Sequence, residues 1–363
     1  MAFAGSDLDA IELLDAPALL AELDAEYADG VVGAKDRSSL LAAVLAARRS
    51  LPGPSPAAVA ACQHKPTARA IQAHAVPQST PRWFVPGGEP PPFGPPWFVK
   101  PAVGRLSQGA RQVMNAAGLP LGREVNGYAA GWESIARSGG VALPAGGWIA
   151  EEVLDGAPVT VEGYVHSGRV TVLGVTDSVM YPGTLSFERF EYPTRLPSPR
   201  AEELAAVAAR LPGAFGFDGG FFNAEFVIPE DGPPGLIEMN ARIASQFAPL
   251  YRAVHGRSSY DALFALACGD DPAWAPGPPD GVAVSYVLRR FDDAWVECVP
   301  EPEDGIEVLV PPGRNLSDAY ANDIGSFRLA IVYEAGETHE EAVSRARRRA
   351  EALTFRLGPP RPP

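Results

Sequence analysis

Cysteine, histidine and lysine are scarce in this 363-residue sequence, and no long apolar run occurs. The three cysteines, Cys62, Cys268 and Cys298, are too far apart for a metal motif or a disulfide framework, so each reads as a small buried or half-buried side chain. Five histidines (His64, His74, His166, His255, His339) show no paired ligand spacing, which argues against histidine-bound zinc. No stretch approaches the roughly 20 apolar residues that a membrane-spanning helix needs. The start of the chain carries acidic residues early and lacks a basic region followed by an apolar one, so no signal peptide is expected and the expected location is the cytoplasm. A formal charge of −14 sets nucleic acid and anionic membrane aside as main partners, although an anionic small molecule can still bind locally.

What is present points to a soluble globular protein: 46% hydrophobic and 20% charged residues, with enough length for two or three subdomains and a deep cleft between them. From Leu8 to Leu51, helical stretches and the strand-like GVVGA suggest a fragment of an α/β unit, with Ser38 or Ser39 as N-cap of SSLLAAVLAARRSL. Ser55-Pro56 should start a further helix that Pro66 divides. PQSTPRWFVPGGEPPPFGPP reads as a linker. WFVKP is then a short apolar strand leading into the small-residue loop AVGRLSQGARQV. GWIAEEVLDGAPVTVEGYVHSGRVTVLGVTDSV alternates as an antiparallel meander turning at Asp155-Gly156 and Ser167-Gly168. Later come VAVSYVLRRF, GIEVLVP and RLAIVYEAG as strands, and a last helix capped by Thr338 with Glu341. The basic run Arg345 to Arg349 in that helix reads as a solvated face balanced by Glu340, Glu341 and Glu351. The implied domains are residues 1–54, 55–96 (helix and Pro-rich connection), 97–165 and 166–363.

The stretch from Phe221 to Ile243, FFNAEFVIPEDGPPGLIEMNARI, holds two strand-like runs around a Pro/Gly-rich gap. With Ile228 and Gly235 paired across that gap, Glu225 faces Glu238 and Asn223 faces Asn240 on one side of a hairpin. Phe222, Ala224, Phe226, Ile237 and Met239 then share the other side. Two carboxylates opposed at roughly 5 Å destabilise a sheet unless something positive lies between them. Hard oxygen ligands without His or Cys point to magnesium, completed by phosphate oxygens. Asn240 adds a neutral ligand, and Arg242, on the same face, can reach phosphates with its fork of donors. An ordinary solvent-facing sheet surface would show the same alternation.

N-A-E-F followed by L-I-E-M-N-A-R resembles the metal and phosphate motif of the ATP-grasp superfamily. Other segments agree in the right order. ACQHKPTARAIQAHAVPQSTPRW is similar to the stretch that places a lysine, here Lys65, at a helix before the grasp fold. WFVKPAVGRLSQGARQV is similar to the strand lysine and the loop over the ATP phosphates, with Lys100, Ser107 and Gly109 in matching places. IAEEVLDG resembles the strand that holds adenine, which implies hydrogen bonds mainly from backbone groups around Glu151, Glu152 and Leu154, with the Leu154 side chain against the ring. The resemblance implies an α+β ATP-grasp fold, two subdomains clasping ATP, with a reduced N-terminal α/β domain. It also implies a carboxylate–amine ligase of the amino acid or peptide type, working through an acyl phosphate and releasing ADP and phosphate. Glu225, Glu238 and Asn240 would hold two magnesium ions, with manganese as an alternative, and Arg242 would stabilise the transferring phosphoryl group. Small-molecule carboxylate and amine substrates are implied, and a homodimer is compatible. Biotin-carboxylase-like or other ATP-grasp phosphoryl chemistry, and a nucleotide-binding subunit without catalysis, are the alternatives.

Three departures from the family pattern stand out. Pro158 occupies the place of the ribose-holding glutamate, with Glu162 as its substitute, and the phosphate loop is poorer in glycine and serine. The first domain is also short. The loop between Arg105 and Arg111 is expected to be poorly ordered without nucleotide. Arg252, Arg289, Arg290, His255 and Asp177 are secondary candidates for the acceptor side, each as easily an ordinary structural or surface residue.

Overall fold

A computed structural model describes residues 16–24, 27–87, 89–105, 107–122, 127–319, 321–322 and 326–362. Residues 1–15, on which the reading of the chain's start rests, lie outside these.

The chain opens with four helices: α1 (Ala16–Asp24), α2 (Asp36–Arg48), α3 (Pro56–Gln63) and α4 (Lys65–Ala75). Ser55 caps α3 by accepting the Ala58 N–H at 3.2 Å, with Pro56 in the first turn where no N–H partner is needed. The division at Pro66 is observed, and His64 caps α4. Helix α2 starts earlier than expected: Lys35 is its N-cap, and Ser38, inside the first turn, accepts the Lys35 N–H at 3.0 Å. GVVGA forms no strand, so the described part of the expected N-terminal α/β unit consists of helices and irregular connections. Among the described residues no strand pairs with this segment. Instead Gly30 and Gly33 lie so close to the Ala267 and Ser38 carbonyls that a Cβ would come within 2.4 and 2.2 Å.

A small antiparallel sheet follows, from β1 (Trp83–Phe84), β2 (Trp97–Pro101), β3 (Arg111–Val113) and β4 (Trp148–Glu152), in the order β1-β4-β2-β3. Helix α5 (Gly127–Ser138) is inserted before β4. On one face of this sheet Trp97, Val99, Val113 and Ala150 are buried. The opposite face carries Phe98, Lys100, Ile149 and Glu151.

The larger sheet begins with β5 (Ala157–His166), β6 (Arg169–Met180) and β7 (Phe187–Tyr192). After α6 (Ser198–Ala209) and α7 (Leu211–Phe215) come β8 (Gly220–Ile228) and β9 (Gly235–Asn240). Helices α8 (Ala248–His255) and α9 (Ser259–Ala267) precede β10 (Val282–Arg290), β11 (Trp295–Cys298) and β12 (Ile306–Val308). The chain then runs through α10 (Leu316–Ala319), β13 (Ala321–Asn322), β14 (Ser326–Gly336), α11 (His339–Ala352) and β15 (Arg356–Gly358). The sheet order is β12-β14-β10-β7-β6-β5-β8-β9, with β13 on β14, while β11 and β15 pair apart. Ser167 and Gly168, both with positive φ, make the expected hairpin turn between β5 and β6. The Asp155-Gly156 turn is not a hairpin: β4 belongs to the small sheet and β5 to the large one, so this turn is the joint between them. Glycine is required there, at φ +138 with a Cβ 2.2 Å from the Ile228 carbonyl.

Alternation along β5 and β8 divides the large sheet into two faces. Val159, Val161, Val165, Phe222, Ala224 and Phe226 are buried in the core shared with the N-terminal helices. Each of these valines and phenylalanines contributes about 1.5–3 kcal/mol through burial. The opposite face carries Thr160, Glu162, Asn223 and Glu225, and beyond them Tyr164 and Phe221 pack under α8. Helix α11 lies on β10 and β14 through Ala342, Ala346 and Ala350. Its arginines bond Glu341, Glu334, Glu303 and Glu188, as the solvated-face reading expects.

Candidate active site

The hairpin of β8 and β9 has the expected register where it matters: Glu225 faces Glu238, and Asn223 faces Asn240. The gap is different. Val227, not Ile228, pairs with Gly235, and a bulge at Ile237 restores the register before Glu238. This puts Leu236 rather than Ile237 on the buried side; Leu236 and Met239 are buried and Ile237 is half-buried.

Asn240 Nδ2 donates to Glu225 Oε1 at 3.0 Å and to Asn223 Oδ1 at 2.9 Å. This orients the Asn240 amide oxygen as its remaining acceptor. Burial first, and the Glu238 charge second, push the Glu225 carboxyl up to about 7, against the pull of Arg242. Among the described residues, no group of three or more His, Cys, Asp or Glu is gathered for a metal ion. A paired carboxylate with a neutral amide fits magnesium, which completes its shell from water and substrate phosphates rather than from a protein cage. Arg242 lies half-buried at the end of β9, with its Nε donating to Asp36 Oδ1 at 2.5 Å. Burial opposes its charge, but Asp36, Glu225 and Glu238 outweigh that and raise its pKa.

Of the cations read from sequence, Lys65 lies near enough to the hairpin for the Glu238 charge to act on it, and Lys100 is bonded within the small sheet. These are two of the three lysines in the chain. Lys65, at the start of α4, donates to the Gly104 carbonyl at 3.2 Å, so it touches the phosphate-type loop directly. Its pKa is lowered, chiefly by burial, with Glu238 opposing. Lys100 bonds Glu151 at 2.8 Å. The loop after β2 closes in turns, Arg105 to Gln108 and Ser107 to Ala110, with positive φ at Ser107 and Gly109; both residues are exposed, and Leu106 lies outside the described residues.

Several assignments change. Glu151 is buried and bonded by both Arg69 (2.7 Å) and Lys100; burial pushes its carboxyl up, yet the two cations overcome this and hold it at about 2. Glu152 bonds Arg82 through its side chain at 2.7 Å, and its own N–H is taken by the Arg82 carbonyl. Both carboxylates are thus engaged within the protein; the adenine contacts expected of this strand run through backbone groups and Leu154, which packs against Gly235 at the joint of the two sheets. Glu162 is 0% exposed, beneath the segment after Arg242, where it accepts the Ala244 N–H. The Tyr251 hydroxyl approaches its second oxygen without completing a hydrogen bond. Burial pushes Glu162 up to about 8, so a ribose contact, which needs an accessible carboxylate, is not available to it.

The secondary candidates separate as well. Asp177 lies on the other face of the sheet, accepting from Thr194 and from the Arg195 N–H. His255 Nε2 is 2.7 Å from the Tyr192 hydroxyl, a structural contact. Arg252 and Arg290 are exposed, and Arg289 bonds the Phe187 carbonyl and Ser326, each at 3.0 Å.

Arg69 and Asp36 carry contacts that sequence reading missed. Arg69, 2% exposed, bonds Glu151 in the small sheet, Gln72 in its own helix and, at 2.6 Å, the Ile237 carbonyl in the large sheet. Lys65, Arg69 and Gln72 recur at helical spacing on α4, and that polar stripe was the available signal.

Residues 93–249 match the family model described as an ATP-grasp domain. Over these residues the chain carries an ATP-grasp domain. Its fold is that of solved ATP-grasp structures. An L-amino acid ligase from Bacillus licheniformis superposes with a TM-score of 0.73 at 16% identity, over 93% of this chain and 83% of that one. A phosphoribosylglycinamide synthetase from Anaerococcus prevotii gives 0.69 at 13% identity, over 95% and 87%. A biotin carboxylase from Campylobacter jejuni, solved as a complex with an ATP analogue, gives 0.66 at 17% identity, over 95% and 79%. No curated protein matches in sequence. Among the described residues, no helix is long and apolar enough to cross a membrane.

Proposed function

We propose that this ATP-grasp protein is an ATP-dependent carboxylate–amine ligase. The observation that carries the reading is the opposed pair Glu225 and Glu238, with Asn240 and Arg242 beside it. Lys65 and Lys100 supply the positive charge on the nucleotide side. A carboxylate oxygen of the first substrate attacks the γ-phosphorus of ATP and ADP leaves, giving an acyl phosphate. The amine of the second substrate then attacks the acyl carbon, phosphate leaves, the nitrogen gives up a proton to water or to the departing phosphate, and an amide remains. Such a transfer needs positioning and charge neutralisation more than a covalent protein group.

Glu225, Glu238 and Asn240 would hold the magnesium, which when bound neutralises phosphate charge. Lys65 and Lys100 bind and orient the phosphates, and Lys65 ties the loop at Gly104 to α4. Arg242 offsets charge on the transferring phosphoryl group. An amino acid or small peptide is the proposed acid, in line with the L-amino acid ligase among the structural neighbours.

The test is ADP and phosphate release over pairs of amino acids with magnesium, with bicarbonate as an additional acid. Turnover with particular acid and amine pairs, lost in Glu238→Ala, is the expected result. Turnover that survives Glu238→Ala rejects the site, and nucleotide binding without turnover for any pair rejects the ligase reading.

A further inference from the structure

Arg242 is fixed at its root and at its tip by different parts of the chain. At the root, Asn223 Nδ2 donates to the Arg242 carbonyl at 3.0 Å, and two residues on, the Ala244 N–H is held by Glu162. At the tip, the Nε–H meets Asp36, the first residue of α2 and 206 positions away in sequence. The two side chains are 22% and 24% exposed, so this pair is shielded from most of the solvent.

Asp36 is itself held in place. Its carbonyl accepts from Gln63 Nε2 at 2.5 Å and from the Ser39 hydroxyl at 2.8 Å, and Gln63 Oε1 accepts the Trp132 indole N–H at 2.7 Å. The start of α2 is thus tied to α3 and α5, and the backbone that carries the Asp36 carboxylate is held in place. A free arginine side chain loses rotamer entropy when it is ordered, and a group that is already oriented reorganises less when charge develops beside it. The Asp36 bond uses Nε and leaves the two Nη groups as donors, of which Nη1 makes only a long contact, 3.4 Å, to the Ile243 carbonyl.

We propose that Asp36 is a positioning residue that sets the Arg242 guanidinium for phosphoryl transfer, making the short N-terminal helical segment a working part of the site. This rests on reading Arg242 as the group that stabilises the transferring phosphoryl.

The test compares Asp36→Asn, Asp36→Glu and Arg242→Met in the full chain. With the acid and amine pair found by the release screen, Asp36→Asn is expected to lower kcat about tenfold or more while KM for ATP stays within about twofold. Asp36→Glu, which restores the charge, should recover part of the loss. A second measurement needs no substrate: calorimetric titration with magnesium and ADP, with and without aluminium fluoride as a mimic of the phosphoryl group. Asp36→Asn should bind MgADP as the parent does and lose most of the fluoride-dependent gain in affinity. Full kcat and an intact fluoride gain in Asp36→Asn would overturn the inference, and so would an equal weakening of MgADP binding, which marks a purely structural role. If Arg242→Met keeps parental turnover and fluoride gain, the reading of Arg242 itself fails. If Arg242→Met is impaired and Asp36→Asn is not, only the role of Asp36 falls.

Discussion

Replacing Glu225 by glutamine should make the nucleotide-free protein more stable and the nucleotide-loaded protein less so. Glu225 and Glu238 face each other across the hairpin, and the Glu225 carboxyl is raised from 4.5 to about 7 by burial and by its neighbour. A carboxyl whose pKa rises on folding contributes stability that is complete below its unfolded value, near 4.5, and is lost as pH rises through about 7. At 1.36 kcal/mol per unit, the penalty borne by the parent at pH 8 is on the order of 3 kcal/mol. Glutamine keeps the shape, can still accept from Asn240 and has no charge to confine. The variant should therefore match the parent below pH 4.5, gain over it progressively above that, and melt several degrees higher at pH 8, roughly 2–4 °C per kcal/mol. With magnesium and ADP in excess the order should narrow or reverse. A ligand at a hundred times its Kd adds about 2.7 kcal/mol to the parent, and the Glu225→Gln variant forfeits the carboxylate that would hold the metal. Thermal unfolding by scanning calorimetry across pH 4–9, with and without MgADP, measures both halves. A variant less stable than the parent at pH 8 without ligand, or one that gains as much from MgADP as the parent, would refute the argument.

Arg69→Met should destabilise the fold by about 3–5 kcal/mol, because it leaves a buried Glu151 with Lys100 alone and unfastens Ile237, and chemical denaturation would show it; a loss under about 1 kcal/mol contradicts the strut. Glu162→Gln removes a carboxyl raised to about 8, whose stabilising protonated form is lost as pH rises through that value. The variant should hold its melting temperature between about pH 4.5 and 8, where the parent declines; parallel pH profiles over that range would exclude an ionisable Glu162 there. Gly156→Ala should be destabilising by about 1–3 kcal/mol, from its φ of +138 and the approach to the Ile228 carbonyl; an unchanged denaturation midpoint would show that the joint relaxes.

How much of this could be read in advance depended on distance along the chain. The facing carboxylates were legible because a two-residue period and a nearby turn set a hairpin's register. The bulge at Ile237 was not, since the opposite pairing of Gly235 leaves the same residues at Glu225 and Glu238. Lys65 and Lys100 stood out through the scarcity of lysine. Arg69 and Asp36 did not, because their partners are 82, 168 and 206 residues away and no local pattern announces them. Glu162 was misread for a related reason: alternation places it on the cleft side of β5, but only the path of residues 242–244 shows that it is covered. The Asp155-Gly156 turn looked like a hairpin because turn chemistry is the same whether a chain folds back or passes to a second sheet.

The strand that bears Glu238 and Asn240 is the last in its sheet, a position whose open backbone normally invites a foreign strand. Here the Leu236 N–H is taken by the Ser79 carbonyl at 2.6 Å and the Ile237 carbonyl by Arg69. The border is thus partly occupied by its own chain beside the opposed acids. Two copies joining by continuing the sheet through this strand would first have to break these bonds, which favours a twofold assembly through another face of the molecule.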